Sequence, residues 1–518
     1  MNGSGSRRWW AVGALALAGV VVGLDLTVLN LAIPTLATDL HASTSELQWI
    51  VDAYSLVLAA MLLPAGLLGD RLGRKRLLLG ALTLFAVASA ACAFAGSAGT
   101  LIAARAVLGV GAAFIIPLSL SVLPVLFAEE ERRRAVTLVV AATVVAYPIG
   151  PILGGWLLTH FWWGSVFLIN VPVIALALAA VSVLMPESRS DDRPRLDIPG
   201  VAISSAGLVG LTYGAIEAGQ RGWGDPGALA ALIVGAVLLA GFVSWERSVT
   251  GRPAGAPLVD LSLFSSASFT WGTVLVTMVS FAMFGLLFTV PQYFQAVGGH
   301  NAMGAGLRLL PMIGGLVVGA GAADRLAKRF GATLPVALGF ALMGGALVAL
   351  ATITASTGDG FTLPWVAALG AGLGFAMPTA MDAALGALSK ERSGVGSALI
   401  MALRQVGATI GVAVLGTVLN AGYRSELHLA GLPAPVANAV RDSVSAGVAV
   451  AHRLGSASLL RSVRVAFVHG MDLLLWVCAG LAVVGVTLAA AFLPRQREKN
   501  EQREIERAPS EGDVVVAG

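Results

Sequence analysis

The stretch GLLGDRLGRKR, residues 66–76, closes a helical hairpin that begins at Trp9. The first arm of this hairpin contains a long apolar run, VVGLDLTVLNLAIP (residues 21–34), whose one charged residue is Asp25. A carboxylate at the bilayer centre costs about 2.5–3.5 kcal/mol on insertion scales, so such residues usually serve a path for ions, protons or substrates. The hairpin therefore predicts a membrane-spanning chain with a functional acid in its first helix.

The composition of the whole chain also indicates a membrane protein. Of its 518 residues, 57% are hydrophobic and 12% are charged, about half the charged share of a soluble domain. The net charge of +4 fits an excess of Lys and Arg in cytoplasmic loops, so we expect no nucleic-acid partner. The two cysteines, Cys92 and Cys478, lie in apolar runs and are too few for a disulfide framework or a metal cluster.

Apolar runs bounded by charge, Gly or Pro predict fourteen transmembrane helices. They span residues 10–36, 47–68, 77–95, 101–123, 135–158, 166–185, 198–217, 227–245, 268–295, 304–322, 332–353, 362–386, 395–420 and 471–493. Most of the 33 Lys and Arg residues lie in loops on one side of these spans. By the positive-inside rule this side and both termini are cytoplasmic, so we expect a multi-pass protein of the inner (cytoplasmic) cell membrane.

A faint internal repeat divides the spans into two halves. DRLGRK at residues 70–75 is echoed by DRLAKR at residues 324–329, each after the second span of a six-span set. Duplicated halves with the substrate between them are typical of transporters. We therefore expect an all-α fold of two six-helix bundles, residues 1–186 and 268–494, with two extra spans and their linkers in residues 187–267.

Two segments outside the spans have their own predicted character. Residues 423–469 form the longest loop, which we expect to face outward and to hold one or two short amphipathic helices lying on the surface. Residues 495–518 are highly charged and are predicted to be a disordered cytoplasmic tail.

The residues of the turn after the second span follow a more specific pattern than a generic basic loop requires. Its key residues are Gly66, Asp70, Arg71, Gly73 and Arg74, and their arrangement resembles the signature loop of the major facilitator superfamily. Gly66 is expected to allow close helix contact, and Asp70 lies at the helix end among cations. The resemblance implies the major facilitator fold and a role for this turn as a conformational gate on the cytoplasmic side.

Further motifs extend the resemblance to the fourteen-span drug:proton antiporters, over nearly the whole chain. They are DLTVLN at residues 25–30, WIVDAY at 49–54, Arg105 ahead of Gly109, and an antiporter motif with Gly150, Pro151, Gly154 and Gly155. Ala146 stands where this antiporter motif has a preceding Gly. The resemblance implies efflux of amphipathic, often cationic compounds in exchange for protons.

Helix geometry places two acids and one arginine in the outer half of the first bundle. Counted from an outer turn near His41, Asp25 and Asp52 differ in depth by about 7–8 Å, and Arg105 enters from the same side. Burial and a nearby Arg shift a carboxyl pKa in opposite directions, which can bring it near the working pH. We predict that Asp25 is the principal proton site, followed by Asp52. The structural alternatives are a helix N-cap for Asp52 and a neutralising partner for Arg105.

Other residues are candidates for the substrate path: Tyr54, Asn30, Asp382, Arg404, Phe284 and Tyr293. Asp382 and Arg404 could equally form a structural ion pair. Phe284 and Tyr293 lie in a stretch rich in Phe, Trp and Met, which could line a drug pocket or face lipid. No phosphate-binding loop, zinc motif or nucleophile elbow occurs in the sequence. We therefore expect no enzyme activity, no metal and no cofactor, with a proton gradient as the energy source.

The sequence as a whole favours a monomeric, lipid-embedded exporter of small amphipathic molecules that works by alternating access. Two alternatives remain open. A proton-coupled importer could use the same fold, although the Gly-Pro motif of the fifth span and the number of spans argue against it. A passive pore or receptor is a further alternative, and its flux would ignore a proton uncoupler.

Overall fold

The computed structural model describes residues 3–127, 129–188, 197–250, 258–259, 261–388, 393–429 and 432–493. The predicted tail, residues 495–518, lies outside this described part. The helices in chain order are α1 (Gly3–Asp39), α2 (Thr44–Leu72), α3 (Arg74–Ala93), α4 (Ala98–Ser121), α5 (Leu123–Leu126), α6 (Glu129–His160), α7 (Ser165–Leu168), α8 (Asn170–Leu184), α9 (Ile198–Arg221), α10 (Pro226–Thr250), α11 (Ala267–Gln292), α12 (Ala302–Phe330), α13 (Thr333–Leu350), α14 (Asp359–Leu385), α15 (Ser393–Glu426), α16 (Ala434–Asp442), α17 (Val444–Arg453) and α18 (Ala457–Phe492). A 3-10 turn, Leu261–Ser265, precedes α11, and a π-helical turn, Tyr293–Val297, follows it.

The membrane spans agree with the all-α prediction. In the described part of the chain, 12 helical stretches are long and apolar enough to cross a membrane. The two other predicted spans, at residues 47–68 and 135–158, lie within α2 and α6, which are 29 and 32 residues long. The all-α polytopic fold is confirmed, whereas the count of fourteen spans stays a prediction.

The two halves share one packing pattern. In the first half α1 packs on α6 and α8, α4 packs on α2 and α3, and α3 packs on α8. In the second half the corresponding pairs are α11 with α15 and α18, α14 with α12 and α13, and α13 with α18. Each contact of the first bundle thus has a counterpart in the second, which is the duplicated arrangement that the internal repeat predicts.

The halves meet along two seams, one between α2 and α15 and one between α6 and α12. Gln48 donates its side-chain amide to the Ala413 carbonyl (3.1 Å), and Gln295 donates to the Leu31 carbonyl (3.1 Å). Among the described residues, the side-chain hydrogen bonds between the halves all lie at the end of the molecule opposite the Gly73 turn. We call the end with the Gly73 turn the basic end and the other the capped end. In this state the halves are joined at the capped end.

A cap of two short helices, α16 and α17, covers that end. Thr44 of the first half donates to the Asp442 carbonyl (2.6 Å), and Tyr423 of the second half donates to the Val440 carbonyl (2.7 Å). Val440 and Val444 are buried against the rest of the protein. The predicted short amphipathic helices therefore exist, but their apolar face packs on the rest of the protein and does not lie free on a membrane surface. The predicted loop is also shorter, because α15 continues to Glu426 and α18 begins at Ala457.

The two extra spans, α9 and α10, form a tight hairpin beside the α2–α15 seam. Gly207, Gly210, Gly214 and Gly235 let the two helices approach closely, because an added Cβ at each would meet the partner helix. The α9 helix packs on both α2 and α15. Thr417 of α15 donates to a carbonyl of α9, that of Ala215 (2.8 Å). The hairpin thus contacts both halves of the molecule.

Candidate functional site

A buried ion pair lies in the middle of the first bundle. Arg105 of α4 donates through Nη1 to Oδ2 of Asp25 on α1, at 2.5 Å. Each of the two side chains is only 2% exposed. A buried carboxylate and guanidinium at this distance neutralise each other, and removal of either one leaves an uncompensated charge. The predicted partnership of Asp25 and Arg105 is therefore present as a direct contact.

Polar groups from four other helices hold this pair in place. Arg105 Nε donates to the Ile50 carbonyl of α2 (3.0 Å), and its guanidinium lies 4.3 Å from the centre of the Tyr54 ring. The Asn170 side chain donates to Asp25 Oδ1 (3.4 Å) and to Ser89 Oγ (3.1 Å). Ser89 in turn donates to the carbonyl of Phe167, where this series of hydrogen bonds ends. Arg105 therefore fixes the position of α2 relative to α1 and α4.

Asp52 stands apart from this pair. It is 0% exposed, and neither of its carboxylate oxygens has a hydrogen-bond partner within the described part of the chain. Residues 50 and 54 lie four apart on the helix face that meets Arg105, whereas residue 52 points to the opposite side of α2. Asp52 shares that opposite side with Gln48, one turn away, which binds α15. Its carboxyl group therefore faces the α2–α15 seam.

The α15 side of this seam carries polar groups at matching positions. Because α2 and α15 run antiparallel, the residue one turn beyond the Gln48 contact on α15 is Thr409, followed by Gln405. Both are buried, and Thr409 Oγ1 and Gln405 Nε2 find no partner among the described residues. Helix register thus places one uncompensated carboxyl group of α2 at the same level as two neutral polar side chains of α15.

The structure corrects the predicted grouping of these residues. Asp25 and Arg105 come together, but Asp52 does not join them, because the helical period turns its side chain to the other face of α2. The alternative that Asp52 caps a helix is wrong, since the N-cap of α2 is Ser43, whose side chain accepts from the Glu46 amide. The spacing of Gln48, Asp52 and Tyr54 along one helix is the signal that could have shown this division.

The basic turn has its own fixed geometry. Gly73 has φ of +112°, a conformation that residues with a side chain rarely adopt. Glu187, which follows α8, accepts from the Lys75 amide (3.1 Å) and lies 3.7 Å from Arg76, so it holds the start of α3. Arg71 is exposed and Arg74 half-buried, and the Asp70 side chain lies outside the described part of the structure. The sequence reasoning missed Glu187.

Gly66 does not make the close helix contact that was predicted. An added Cβ at Gly66 would meet no atom within 4 Å, whereas one at Gly69 would collide with Leu118 of α4. The physical reason is that residues 66 and 69 lie almost a full turn apart, on slightly different faces, and the close approach of α4 occurs at the second glycine.

The Gly-Pro motif of α6 is a contact point for two other helices. Cβ atoms added at Gly150 and Gly154 would meet Thr27 and Val28 of α1, and one at Gly155 would meet the backbone of α12 at Met303. From the other side, a Cβ at Gly306 of α12 would meet the Pro151 carbonyl. The motif therefore allows α6 to pack closely on α1 and to form the α6–α12 seam.

The predicted substrate-path residues are dispersed. Tyr54 is part of the Arg105 environment, and Asn30 donates to the Leu26 carbonyl of its own helix. Phe284 and Tyr293 are buried within the second half and do not face lipid. Asp382 is exposed, and its charged neighbour among the described residues is Asp324. Arg404 contacts Met401 Sδ (3.4 Å), and in the described part of the chain no ion pair joins it to Asp382, so the structural pair that the sequence left open is not formed.

Residues 15–412 match the sequence pattern of the Major Facilitator Superfamily. This chain belongs to that family. A tetracenomycin C resistance and export protein of Streptomyces glaucescens is 34% identical, and the match covers 100% of this chain and 96% of the relative. The multidrug efflux pump LfrA of Mycolicibacterium smegmatis is 35% identical, with 93% of this facilitator and 96% of the relative covered.

A solved structure shares the fold of this facilitator. A bacterial homolog of the human lysosomal transporter Spinster, in an inward-facing and unoccupied conformation, aligns with a TM-score of 0.65 at 17% identity. The alignment covers 94% of this chain and 98% of that one. The family and the fold together identify this chain as a membrane transporter, in agreement with the sequence-based expectation.

Two acids within apolar helices of this facilitator were not anticipated. Glu246 on α10 is 0% exposed, and Asp472 on α18 is half-buried, with one oxygen, Oδ1, that is buried without a partner in the described part of the chain. Each lies within an apolar helix, which is the same signal that identified Asp25. The sequence therefore contains the signal for both acids.

Proposed function

We propose that this facilitator exports small amphipathic molecules, cationic or neutral, in exchange for protons. The names of its relatives, a resistance and export protein and a multidrug efflux pump, support export as the direction and drug-like compounds as the cargo. In this proposal the basic end and both termini lie in the cytoplasm, the protein works as a monomer in the inner membrane, and the proton gradient replaces any cofactor.

The observation that carries this proposal is the uncompensated, fully buried carboxyl group of Asp52 at the α2–α15 seam. An ionised carboxylate without a counter-charge is costly to bury, whereas the neutral acid is tolerated far better. We therefore infer that Asp52 carries a proton when the capped end is closed. This reverses the order predicted from the sequence, because Asp25 already has a counter-charge in Arg105.

Protonation of Asp52 then controls which end of the transporter is open. A proton taken up from outside neutralises Asp52 and lets α2 close against α15 at the capped end. Release of the proton towards the cytoplasm leaves a negative charge at the seam, which a cationic cargo can compensate and which favours separation of the two helices. Arg105 holds α2 at the Ile50 carbonyl, so the movement of the seam is transmitted to α1 and α4.

The energetics are adequate for such an exchange. One charge moved through 100 mV supplies about 2.3 kcal/mol. Because about 1.4 kcal/mol corresponds to a tenfold ratio, one proton supports a gradient of roughly fifty-fold from voltage alone when the cargo is neutral.

Transport by inside-out vesicles tests the proposal. Acid-loaded vesicles with the wild-type protein should lose internal acidity when ethidium, a cationic amphipathic dye, is added outside. Asp52→Asn should abolish this proton release and uphill dye accumulation while leaving dye equilibration down its gradient. Glu217→Gln, a change at an acid paired with Arg221 on α9, is the matched control and should transport normally.

The alternatives give different results in the same assay. A proton-coupled importer would not release protons when the dye enters, and a passive pore would equilibrate the dye without regard to an uncoupler. Full proton-coupled accumulation by Asp52→Asn would contradict the role of Asp52.

A further inference from the structure

The extra hairpin carries a pair of buried carboxyl groups at the basic end. Asp197 is the N-cap of α9 and is 7% exposed, and Glu246, in the last turns of α10, is 0% exposed. Both side chains meet at Gly200, where an added Cβ would touch Asp197 Oδ2 and Glu246 Oε1. The hairpin thus brings together two acids that are far apart in the chain. Asp197 lies 48 residues before Trp245, which directly precedes Glu246.

The hydrogen bonds of the two carboxyl groups differ. Asp197 accepts from the Gly200 amide (3.0 Å) and from Trp245 Nε1, which lies 3.0 and 2.9 Å from its two oxygens. Glu246 Oε2 accepts from the Val259 amide (3.1 Å). Glu246 Oε1 is buried, turned towards Asp197, and has no hydrogen-bond partner in the described residues.

The charged side chain that lies against Glu246, within the described part of the chain, is that of Asp197, whereas the neighbouring Arg247 is exposed. Two ionised carboxylates in contact, both buried, would repel each other and leave Glu246 Oε1 unsatisfied. One proton on that oxygen removes both problems, because the resulting O–H can donate to Asp197 Oδ2.

We propose that Asp197 and Glu246 form a proton-binding site outside the translocation path, in which Glu246 holds one proton and donates it in a hydrogen bond to Asp197. Glu246 is the holder because Asp197 already accepts from two N–H donors, which stabilise its ionised form. The site belongs to the extra hairpin and does not depend on which substrate is transported, or on Asp52.

The site also fastens the chain that leads into the second half. Glu246 Oε2 binds the Val259 amide, and Leu258, Val259 and Leu263 are all buried in the core. This segment runs directly into α11, the first helix of the second half. Loss of the proton places two negative charges side by side and weakens the attachment of the segment. The strength of this attachment therefore depends on the pH at the basic end.

The test is the pH dependence of thermal stability of the full-length protein in detergent micelles. The apparent Tm of the wild type should fall from mildly acidic to mildly alkaline pH, since a proton bound only in the folded state is lost. One such proton changes the unfolding equilibrium by at most about tenfold per pH unit. In Glu246→Gln the amide donates to Asp197 permanently, so this fall should become smaller by the share of one proton.

Two further variants make the test decisive. Glu217→Gln removes an acid at the opposite end of the hairpin and should keep the wild-type slope. Asp197→Asn lets the Asn amide donate to an ionised Glu246, so it should also flatten the slope, and it serves if Glu246→Gln does not fold. A wild-type slope in both Glu246→Gln and Asp197→Asn would overturn the proposal.

Infrared spectroscopy gives a second readout, which is independent of unfolding. The difference between wild type and Glu246→Gln at mildly acidic pH should contain the carbonyl band of a protonated carboxylic acid, and its absence would overturn the proposal. Stabilisation of the wild type at alkaline pH by Mg²⁺ or Ca²⁺, reversed by a chelator and missing in Glu246→Gln, would indicate a bridging cation and would equally overturn it.

Discussion

Asp25 and Asp52 show how the same residue type takes two roles within one bundle. Asp25 is buried with a guanidinium at 2.5 Å, and Asp52 is buried with no counter-charge among the described residues. The first is suited to fixing helices relative to one another, because its charge is already compensated. The second is suited to binding and releasing a proton, because each change in its charge alters the cost of closing the seam around it.

Asp25→Asn should destabilise the protein by about 3–5 kcal/mol, because it leaves Arg105 buried without its counter-charge. The measurement is denaturant or thermal unfolding in detergent. The double variant Asp25→Asn, Arg105→Gln should recover part of the loss, since no uncompensated charge remains. Equal stability of wild type and Asp25→Asn would show that the ion pair does not hold the bundle together.

The sequence predicted the identity of these residues better than their grouping. An acid in an apolar run is visible from the chain alone, and so is Arg105. Which of two acids meets the arginine depends on helix rotation, and the outcome here follows from the contacts of Ile50 and Tyr54 with α4. Such contacts involve residues far apart in the chain, which composition and spacing do not encode.

At the scale of elements, glycines decide how closely helices pack and where the chain turns. Gly73 lets α2 and α3 join in a sharp turn, and the glycines of α6 bring it against α1 and α12. The motif predicted the place of the turn between α2 and α3, and its role as a conformational gate stays a prediction. It did not predict which of Gly66 and Gly69 meets another helix. That choice depends on how far α4 is displaced along the axis of α2, which the motif does not specify.

Substitution of these glycines should have opposite effects. Gly73→Ala should lower stability by about 1–3 kcal/mol, because its backbone conformation is unfavourable for a residue with a side chain and an added Cβ would meet Glu187. Gly66→Ala should raise stability by up to about 1 kcal/mol, because it lies within a helix with open space around it. Thermal unfolding of both variants checks the pair, and a destabilised Gly66→Ala would indicate a close contact in another state.

The cap should respond to pH through Asp442. Burial raises the pKa of this carboxyl above its usual range, Arg424 lowers it in part, and Glu46 raises it further. A pKa that is higher in the docked cap than in the free one favours docking when Asp442 is protonated, so docking weakens as the pH rises through the pKa of the docked state.

Hydrogen exchange of the α16 amides, corrected for the intrinsic pH dependence, measures this effect. Exchange should increase towards higher pH in the wild type, and Asp442→Asn should remove the increase. A variant that keeps the wild-type pH dependence would rule out Asp442 as its source.

At the scale of the whole molecule, the two halves are joined at the capped end. The hydrogen bonds of Gln48 and Gln295 across the halves, the Gly155 contact with α12, and the cap itself all lie there. The duplicated packing pattern was predictable, because a repeated motif implies repeated contacts. The conformational state, with the halves joined at the capped end, was not predictable, because different conformations of a transporter share one sequence.

A disulfide across the α2–α15 seam should arrest transport. Gln48→Cys with Gly416→Cys places two thiols where the Gln48 side chain now reaches the glycine. Oxidation should block dye efflux and a reductant should restore it, while each single variant stays active under oxidation. The native Cys92 and Cys478 are buried and leave the background low. Efficient cross-linking with undiminished efflux would show that this seam need not open.

The position of the extra hairpin limits how a lipophilic cargo can enter sideways from the bilayer. Because α9 lies against both α2 and α15, it shields that flank of the transporter from surrounding lipid. The opposite flank, where α6 meets α12, has no such screen among the described helices. This facilitator therefore leaves one of the two flanks between its halves open to lipid, where a relative without the hairpin would leave both.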